Sequence, residues 1–194
     1  GQKALGVMTM PRVLSLGDDG ELRVTPSLEL HALRQGAGKV EALALTDEAK
    51  RLELAGEALE LIVEAEVGCP IELAVRCSPD SEERTLIIVD PAADEVCIDT
   101  RAASLDVEVW RPDPLVTGAE RADVPVQRAP LMSSEEEPLR LHIFVDRSII
   151  EVFVNERICL TGRTYPTRDD AIGITISGRG QARVEGWLLA GSSC

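Results

Sequence analysis

The clearest pattern in the chain runs from Leu139 to Asn155, LRLHIFVDRSIIEVFVN. Two stretches of alternating β-branched, aromatic and polar residues flank Asp146-Arg147-Ser148, the pattern of a half-buried antiparallel hairpin. Pairing Val145 with Ile150 makes one face wholly aliphatic: Leu141, Ile143, Val145, Ile150, Val152 and Val154. A one-residue slip, Val145 on Ile149, places Glu151 among those aliphatics. Burying an unpaired carboxylate is costly, so the first register is expected. It puts Phe144 and Phe153, the two phenylalanines of the chain, on the opposite face beside Ile149 and His142. Two rings and an isoleucine left in water form an exposed apolar patch, so something is expected to cover that face. The preferred cover is the segment Arg111–Glu137, with Leu115, Val116, Val124, Val126 and Leu131; the alternatives are another domain or a second copy of the chain.

Elsewhere the alternation predicts strands at Gly6–Met10, Arg12–Leu16, Glu21–Thr25 and Leu28–Leu33, with a turn at Asp18-Asp19-Gly20 and a loop at Gln35–Gly38. Thr46–Glu66 is divided, because its Ala, Leu and Glu content favours helix while Leu59, Leu61 and Val63 alternate. Ala58–Glu66 is read as strand, with a short helical turn at Asp47–Arg51. Strands follow at Ile71–Arg76, Thr85–Val89, Glu95–Thr100 and Leu105–Trp110. Arg111–Glu137 shows little periodicity and reads as a long loop. Beyond the hairpin come Ile158–Arg163, Ala171–Ser177 and Gln181–Leu189, with a turn at Gly178-Arg179-Gly180. About a dozen strands separated by turn signals specify an all-β, two-sheet antiparallel β-sandwich, with residues 1–194 as a single domain.

Composition narrows the function. The formal charge of −14 over 194 residues repels phosphate backbones, and no basic block offsets it, so nucleic acid is excluded as a partner. No apolar run approaches the roughly 20 residues that span a bilayer, so no membrane association is expected. The opening GQKALGVMTMPRV lacks the pattern of a secretory signal. The five cysteines form no C-x-x-C pair and read as buried free thiols, a Cys69–Cys77 disulfide being the alternative and Cys194 exposed.

HIFVDRSIIEVFVN, followed by LTGRTYP at Leu160–Pro166, resembles the C-terminal β-sandwich of glycoside hydrolase family 32, the family of invertases, levanases and other β-fructofuranosidases. The opening stretch Gly6–Arg34 resembles the start of that sandwich, and VEGWLL at Val184–Leu189 its last strand. The resemblance implies a lectin-like, concanavalin-type fold. It also implies an upstream catalytic propeller in the same polypeptide, and fructan or sucrose as the substrate of the whole. A homodimer is a further candidate assembly.

The catalytic motifs of that family are missing. Asn155 is the sole asparagine, so no Asn-Asp-Pro exists. Arg111-Pro112-Asp113-Pro114 separates the Arg and Asp of an Arg-Asp-Pro motif, and Glu95-Val96-Cys97 separates Glu from Cys. Two carboxyl groups flanking a glycosidic bond are therefore not signalled. His31 and His142 lie in expected strands without an evident partner, His142 reading as a surface residue and Trp187 as core. The acidic run Glu135–Glu137 lacks calcium-ligand spacing. No catalytic residue, cofactor or metal is assigned. The expected role is a non-catalytic accessory sandwich; a free-standing carbohydrate-binding module and a plain structural or oligomerisation domain are the alternatives. Should the chain contact sugar, the expected group is Asp146, Arg147 and Glu151, near one end of the hairpin. The competing reading of these residues is a capped turn with Arg147 and Glu151 paired on the surface.

Overall fold

The computed structural model describes residues 7–66, 68–106, 125–131 and 137–190. Strands β1 (Arg12–Leu16) and β2 (Leu22–Pro26) precede a 3-10 helix (Leu28–Leu33) and the long strand β3 (Arg34–Leu45). There follow β4 (Lys50–Arg51), β5 (Ala58–Ala65), β6 (Ile71–Cys77), β7 (Thr85–Asp90), β8 (Glu95–Asp99) and β9 (Val126–Pro130). The last are β10 (Leu139–Asp146), β11 (Ile149–Val154), β12 (Ile158–Arg163), β13 (Gly173–Gly178) and β14 (Gly180–Leu189). One six-stranded sheet has the order β12-β11-β10-β5-β14-β3, the other β4-β13-β6-β7-β8-β9, and β1-β2 form a separate hairpin. The result is the expected two-sheet antiparallel sandwich.

Its core lies between the two six-stranded sheets and is aliphatic. Leu59, Leu61 and Val63 of β5 and Leu141, Ile143 and Val145 of β10 face Leu73, Val75, Ile87 and Ile98 of the other sheet. The central hairpin has the expected register: Val145 opposes Ile150 and Leu141 opposes Val154. All six residues of its aliphatic face are completely buried. The two-residue link places Arg147 at φ 52°, the left-handed backbone that tight hairpin turns require.

Phe144 and Phe153 are covered, at 1% and 2% exposure. Among the described residues the cover is made by Leu30 of the 3-10 helix, Ala58 and Leu189, which pack with the rings, joined by Met10, Val24 and Cys159. The described part of Arg111–Glu137 includes β9, which pairs with β8 at the edge of the opposite sheet; residues 107–124 and 132–136 lie outside the described residues.

Other differences have local causes. Leu28–Leu33, expected as strand, is helical; leucines at 28, 30 and 33 suit either period, and only Leu30 is buried. Gln35–Gly38, expected as a loop, is a bulge inside β3: opposite it the register of β14 shifts between Gly186 and Leu188. A Cβ on Gly38 would lie 2.5 Å from the indole nitrogen of Trp187, so the glycine permits that close approach. The helical turn expected at Asp47–Arg51 is replaced by β4, paired with β13; extended backbone there sends Leu52 and Leu54 into the core. Val7–Met10 carry no strand, because the Met10 N–H bonds a carboxylate instead of a ladder. Leu105 and Asp106 are likewise outside strands, and the rest of Leu105–Trp110 lies outside the described residues. Cys69, Cys77, Cys97 and Cys159 are free thiols; burial pushes Cys159 up to about 11.

Leu61 is fully buried, whereas Leu14 is 64% exposed. Leu61→Ala is expected to cost about 2–5 kcal/mol and Leu14→Ala less than about 0.5 kcal/mol. Urea unfolding midpoints at constant m-value measure both.

Candidate functional site on the outer face of the sheet

The outer face of the sheet containing the central hairpin is lined by cross-strand rows. Glu151, Phe144, Glu60 and Trp187 form one row across β11, β10, β5 and β14. Phe153, His142, Ile62 and Glu185 form the next. Two carboxylates therefore lie in a layer that the N-terminal segment and the 3-10 helix partly cover. Both Glu60 and Glu151 are completely buried, so each requires partners.

Glu60 is gripped by Arg34 at the start of β3, with Arg34 Nε donating to Oε2 at 2.7 Å and Nη2 to Oε1 at 2.6 Å. This bidentate fork is the strong form of a carboxylate–arginine contact. His142 Nε2 lies 2.6 Å from the same Oε1. Burial alone would push Glu60 up, but the bonds from Arg34 and His142 outweigh it and hold the carboxyl at about 2. An ionised carboxylate only accepts, so the His142 proton sits on Nε2. The Arg34 guanidinium lies 3.7 Å from the Trp187 ring centroid, and the His142 ring stacks on Phe144 at 4.8 Å. His142 is thus a buried, partnered residue rather than the expected surface one, and Trp187 is buried on the outer face, away from the aliphatic core.

Glu151 clasps the chain start: the Met10 N–H donates to Oε1 at 2.6 Å and Arg12 Nη2 to Oε2 at 2.8 Å. Of the expected sugar-contact group, Asp146 is exposed at the turn and shares the outer face with Glu151. Arg147 occupies the turn itself, its N–H donating to the Glu57 carbonyl at 2.8 Å. Glu151, however, lies beneath Arg12 and Met10, so the structure does not bring its carboxylate to the surface beside the other two. Glu151 pairs with Arg12, whereas the competing reading of these residues paired it with Arg147.

Between this face and the segment β2–helix is a cleft of about 480 Å³, bounded by Thr25, His31, Arg34, Arg140, Glu156 and Trp187 among others. A second hollow, of about 570 Å³, shares Arg140 and Glu156 with it. Asn155 shapes the boundary: at φ 45°, its Oδ1 accepts from the Arg140 N–H at 2.7 Å and its own N–H donates to the Arg140 carbonyl at 2.9 Å.

Two further buried carboxylates lie elsewhere. Glu83 accepts from Thr167 N–H and hydroxyl, Leu105 N–H and Arg168 N–H at 2.6–2.9 Å; burial pushes it up, and these bonds outweigh burial and hold it below its usual value. Asp99 is likewise held low, the bonds from Arg101 overcoming burial. Glu95 pairs with Arg128 at the surface. Asp113 and Glu135 lie outside the described residues, and among the described residues no group of three metal-ligating side chains occurs. No described helix is long and apolar enough to cross a membrane.

The profile of the family described as "Glycosyl hydrolases family 32 C terminal" matches residues 29–187. A sucrose-6-phosphate hydrolase of Zymomonas mobilis subsp. mobilis is 28% identical over 178 residues, covering 87% of this chain and 31% of that protein. The chain thus spans about a third of the length of such relatives. Among solved structures, an exo-inulinase from Aspergillus awamori aligns with a TM-score of 0.71 at 20% identity, over 95% of this chain and 36% of that one. A sucrose-6-phosphate hydrolase from Lactobacillus gasseri aligns at 0.67 and 22% identity, over 92% and 33%. At these identities the structural likeness concerns the fold.

The site also sets a pH dependence. Folded Glu60 resists protonation down to about 2, while in the unfolded chain the carboxyl takes a proton near 4.5. Its contribution to stability is complete above about pH 4.5 and is lost as pH falls from there towards 2. Glu60→Gln is expected to lower stability at pH 7 and to flatten the acid decline. Urea midpoints of both proteins between those limits give the comparison.

Proposed function

The chain belongs to the C-terminal domain family of the family 32 glycosyl hydrolases, and from that premise we propose that it is the non-catalytic accessory β-sandwich of a fructan- or sucrose-cleaving hydrolase. In this reading residues 1–194 are one domain, and an upstream catalytic propeller of the same polypeptide carries the chemistry. The sandwich supports that propeller.

The observation that carries this reading is the state of the buried carboxylates. Glycoside hydrolysis by the usual route needs a carboxylic acid whose pKa is raised, so that it holds a proton to give, and a second carboxylate free to attack or to activate water. Glu60, Glu83 and Asp99 are held low by the donors around them. Glu151 has both oxygens bonded to the N-terminal segment. Each of the four buried carboxylates among the described residues serves as a structural acceptor. The length relation agrees, since 69% of the Zymomonas relative lies beyond the matched part, the remainder of the 31% covered.

The exposed surface of the β1–β2 hairpin supports a docking place for the propeller. Near the start of the chain the β1–β2 hairpin exposes Leu14, Leu16 and Leu22 at 64%, 75% and 54%. Apolar side chains grouped on one hairpin mark a face that another body covers. The upstream domain, which enters at this end, is the partner we assign to it.

The purified chain is expected to fold and to release no fructose from sucrose or levan; release that persists through repurification would overturn the reading. Replacing Leu14 and Leu16 together by Asp is expected to leave the isolated chain folded while weakening its association with the separately expressed upstream domain. Pull-down and thermal melts of the mixture read this out. If the same double variant instead turned a dimeric chain monomeric in gel filtration, the hairpin would be assigned to a second copy.

A further inference from the structure

The cleft on the outer face has a chemistry of its own. Its volume of about 480 Å³ falls in the usual range of small-molecule sites. Its floor is rigid, because Arg34 is fixed by two bonds to Glu60 and by the Trp187 ring. Arg34 engages Glu60 through Nε and Nη2, which leaves Nη1 for another acceptor. The Arg140 guanidinium is 3.9 Å from both Glu64 and Glu156, longer than a hydrogen bond. The side chains of His31 and Thr25 make no hydrogen bond to any described residue, yet both border the cleft. Donors and acceptors with unused capacity thus converge on one space.

Charge selects among ligands. Around the cleft two arginines, Arg34 and Arg140, face the lining carboxylates of Glu156 and Glu185, and Glu60 and Glu64 lie against the same two arginines. The balance is slightly negative in a chain of charge −14, which disfavours phosphate or carboxylate ligands. A neutral molecule rich in hydroxyls suits it, since each hydroxyl both donates and accepts. The adjoining hollow of about 570 Å³, reached across Arg140 and Glu156 and lined further by Glu137 and Arg157, provides room for more than one ring.

We infer that this groove binds a short neutral saccharide, held by Arg34, Arg140, His31, Glu156 and Glu185. Arg34 occupies one face of Trp187, so recognition relies chiefly on hydrogen bonds, and dissociation constants are on the order of 1 mM. The groove is separate from the Asp146 turn: Arg140 and Asp146 sit at opposite ends of β10, about 20 Å apart at strand spacing. The accessory reading supplies only the choice of probe sugars, and the groove's geometry stands without it.

Calorimetry and saturation-transfer NMR on the chain, with sucrose, a neutral fructo-oligosaccharide of three or four units, and sucrose 6-phosphate, provide the test. The neutral sugars are expected to bind, the longer one more tightly and the phosphorylated one more weakly. Arg140→Ala and His31→Ala should each weaken binding about tenfold without moving the melting temperature, and Asp146→Ala should leave binding unchanged. Silence at about 10 mM of every neutral sugar, ten times the expected constant, would overturn the inference. So would tighter binding of the phosphorylated sugar, or binding that survives Arg140→Ala and disappears in Asp146→Ala. None of these outcomes touches the accessory reading, which the hydrolysis and association measurements decide.

Discussion

An ionised carboxylate cannot be left alone in an apolar layer, and much of this structure follows from where its carboxylates are put. That constraint keeps Glu151 out of the aliphatic core and so sets the register of the central hairpin. On the outer face the same residue is still fully buried, so the constraint acts again and the chain must bring donors to it. Arg12 and the Met10 N–H do so from the far end of the sequence, and thereby dock the N-terminal segment over Phe153. Arg34 does the same for Glu60, which fixes the beginning of β3. The cover over the phenylalanines is therefore an electrostatic clasp as much as an apolar contact. Met10 reaches the rings because its own N–H is needed below, and Val24 is held beside them by its N–H on the Glu156 carbonyl.

The sandwich was legible because its signals are local. Alternation within β5, β6, β10 and β11 is strict, and one polar residue in the wrong layer suffices to exclude the slipped pairing. Where the chain is irregular, local signals fail. The glycines of Gln35–Gly38 look like a loop, but at an edge strand they form a bulge that makes room for Trp187. LELHAL offers leucines at both strand and helical spacing, and the neighbour that decides between them, the phenylalanine pair, is over a hundred residues away. The need for a cover could be read from Phe144 and Phe153; its identity could not, because aliphatic residues in Arg111–Glu137 and in the N-terminal segment are equally apolar.

The site was less legible for the same reason. Arg34, Glu60 and His142 come from β3, β5 and β10, and only the pairing of those strands makes them a unit. Asp146, Arg147 and Glu151 lie close in sequence and suggested a group, yet Glu151 turns under Arg12 while Asp146 stays in solvent. One signal was available: on strands that alternate, His142 and Glu60 occupy positions opposite a buried aliphatic face, and the rings beside them imply that this second face is covered as well. A charged or titratable residue on a covered face needs a partner, and the oppositely charged residue nearest a neighbouring strand is the candidate.

A catalytic carboxyl and a structural one are separated by what surrounds them. Desolvation without donors raises a carboxyl towards neutrality and prepares it to give a proton; desolvation with several donors lowers it and makes it an anchor. Glu60 and Glu83 show the second case in full, their burial being outweighed by the bonds they accept. An anchor of this kind cannot also be a proton donor at neutral pH, because the donors that hold it in place stabilise its charge. The outer face is consequently built for rigidity, and a rigid face bordered by arginines and glutamates with hydrogen-bonding capacity remaining suits holding a ligand or a neighbouring domain better than transforming one.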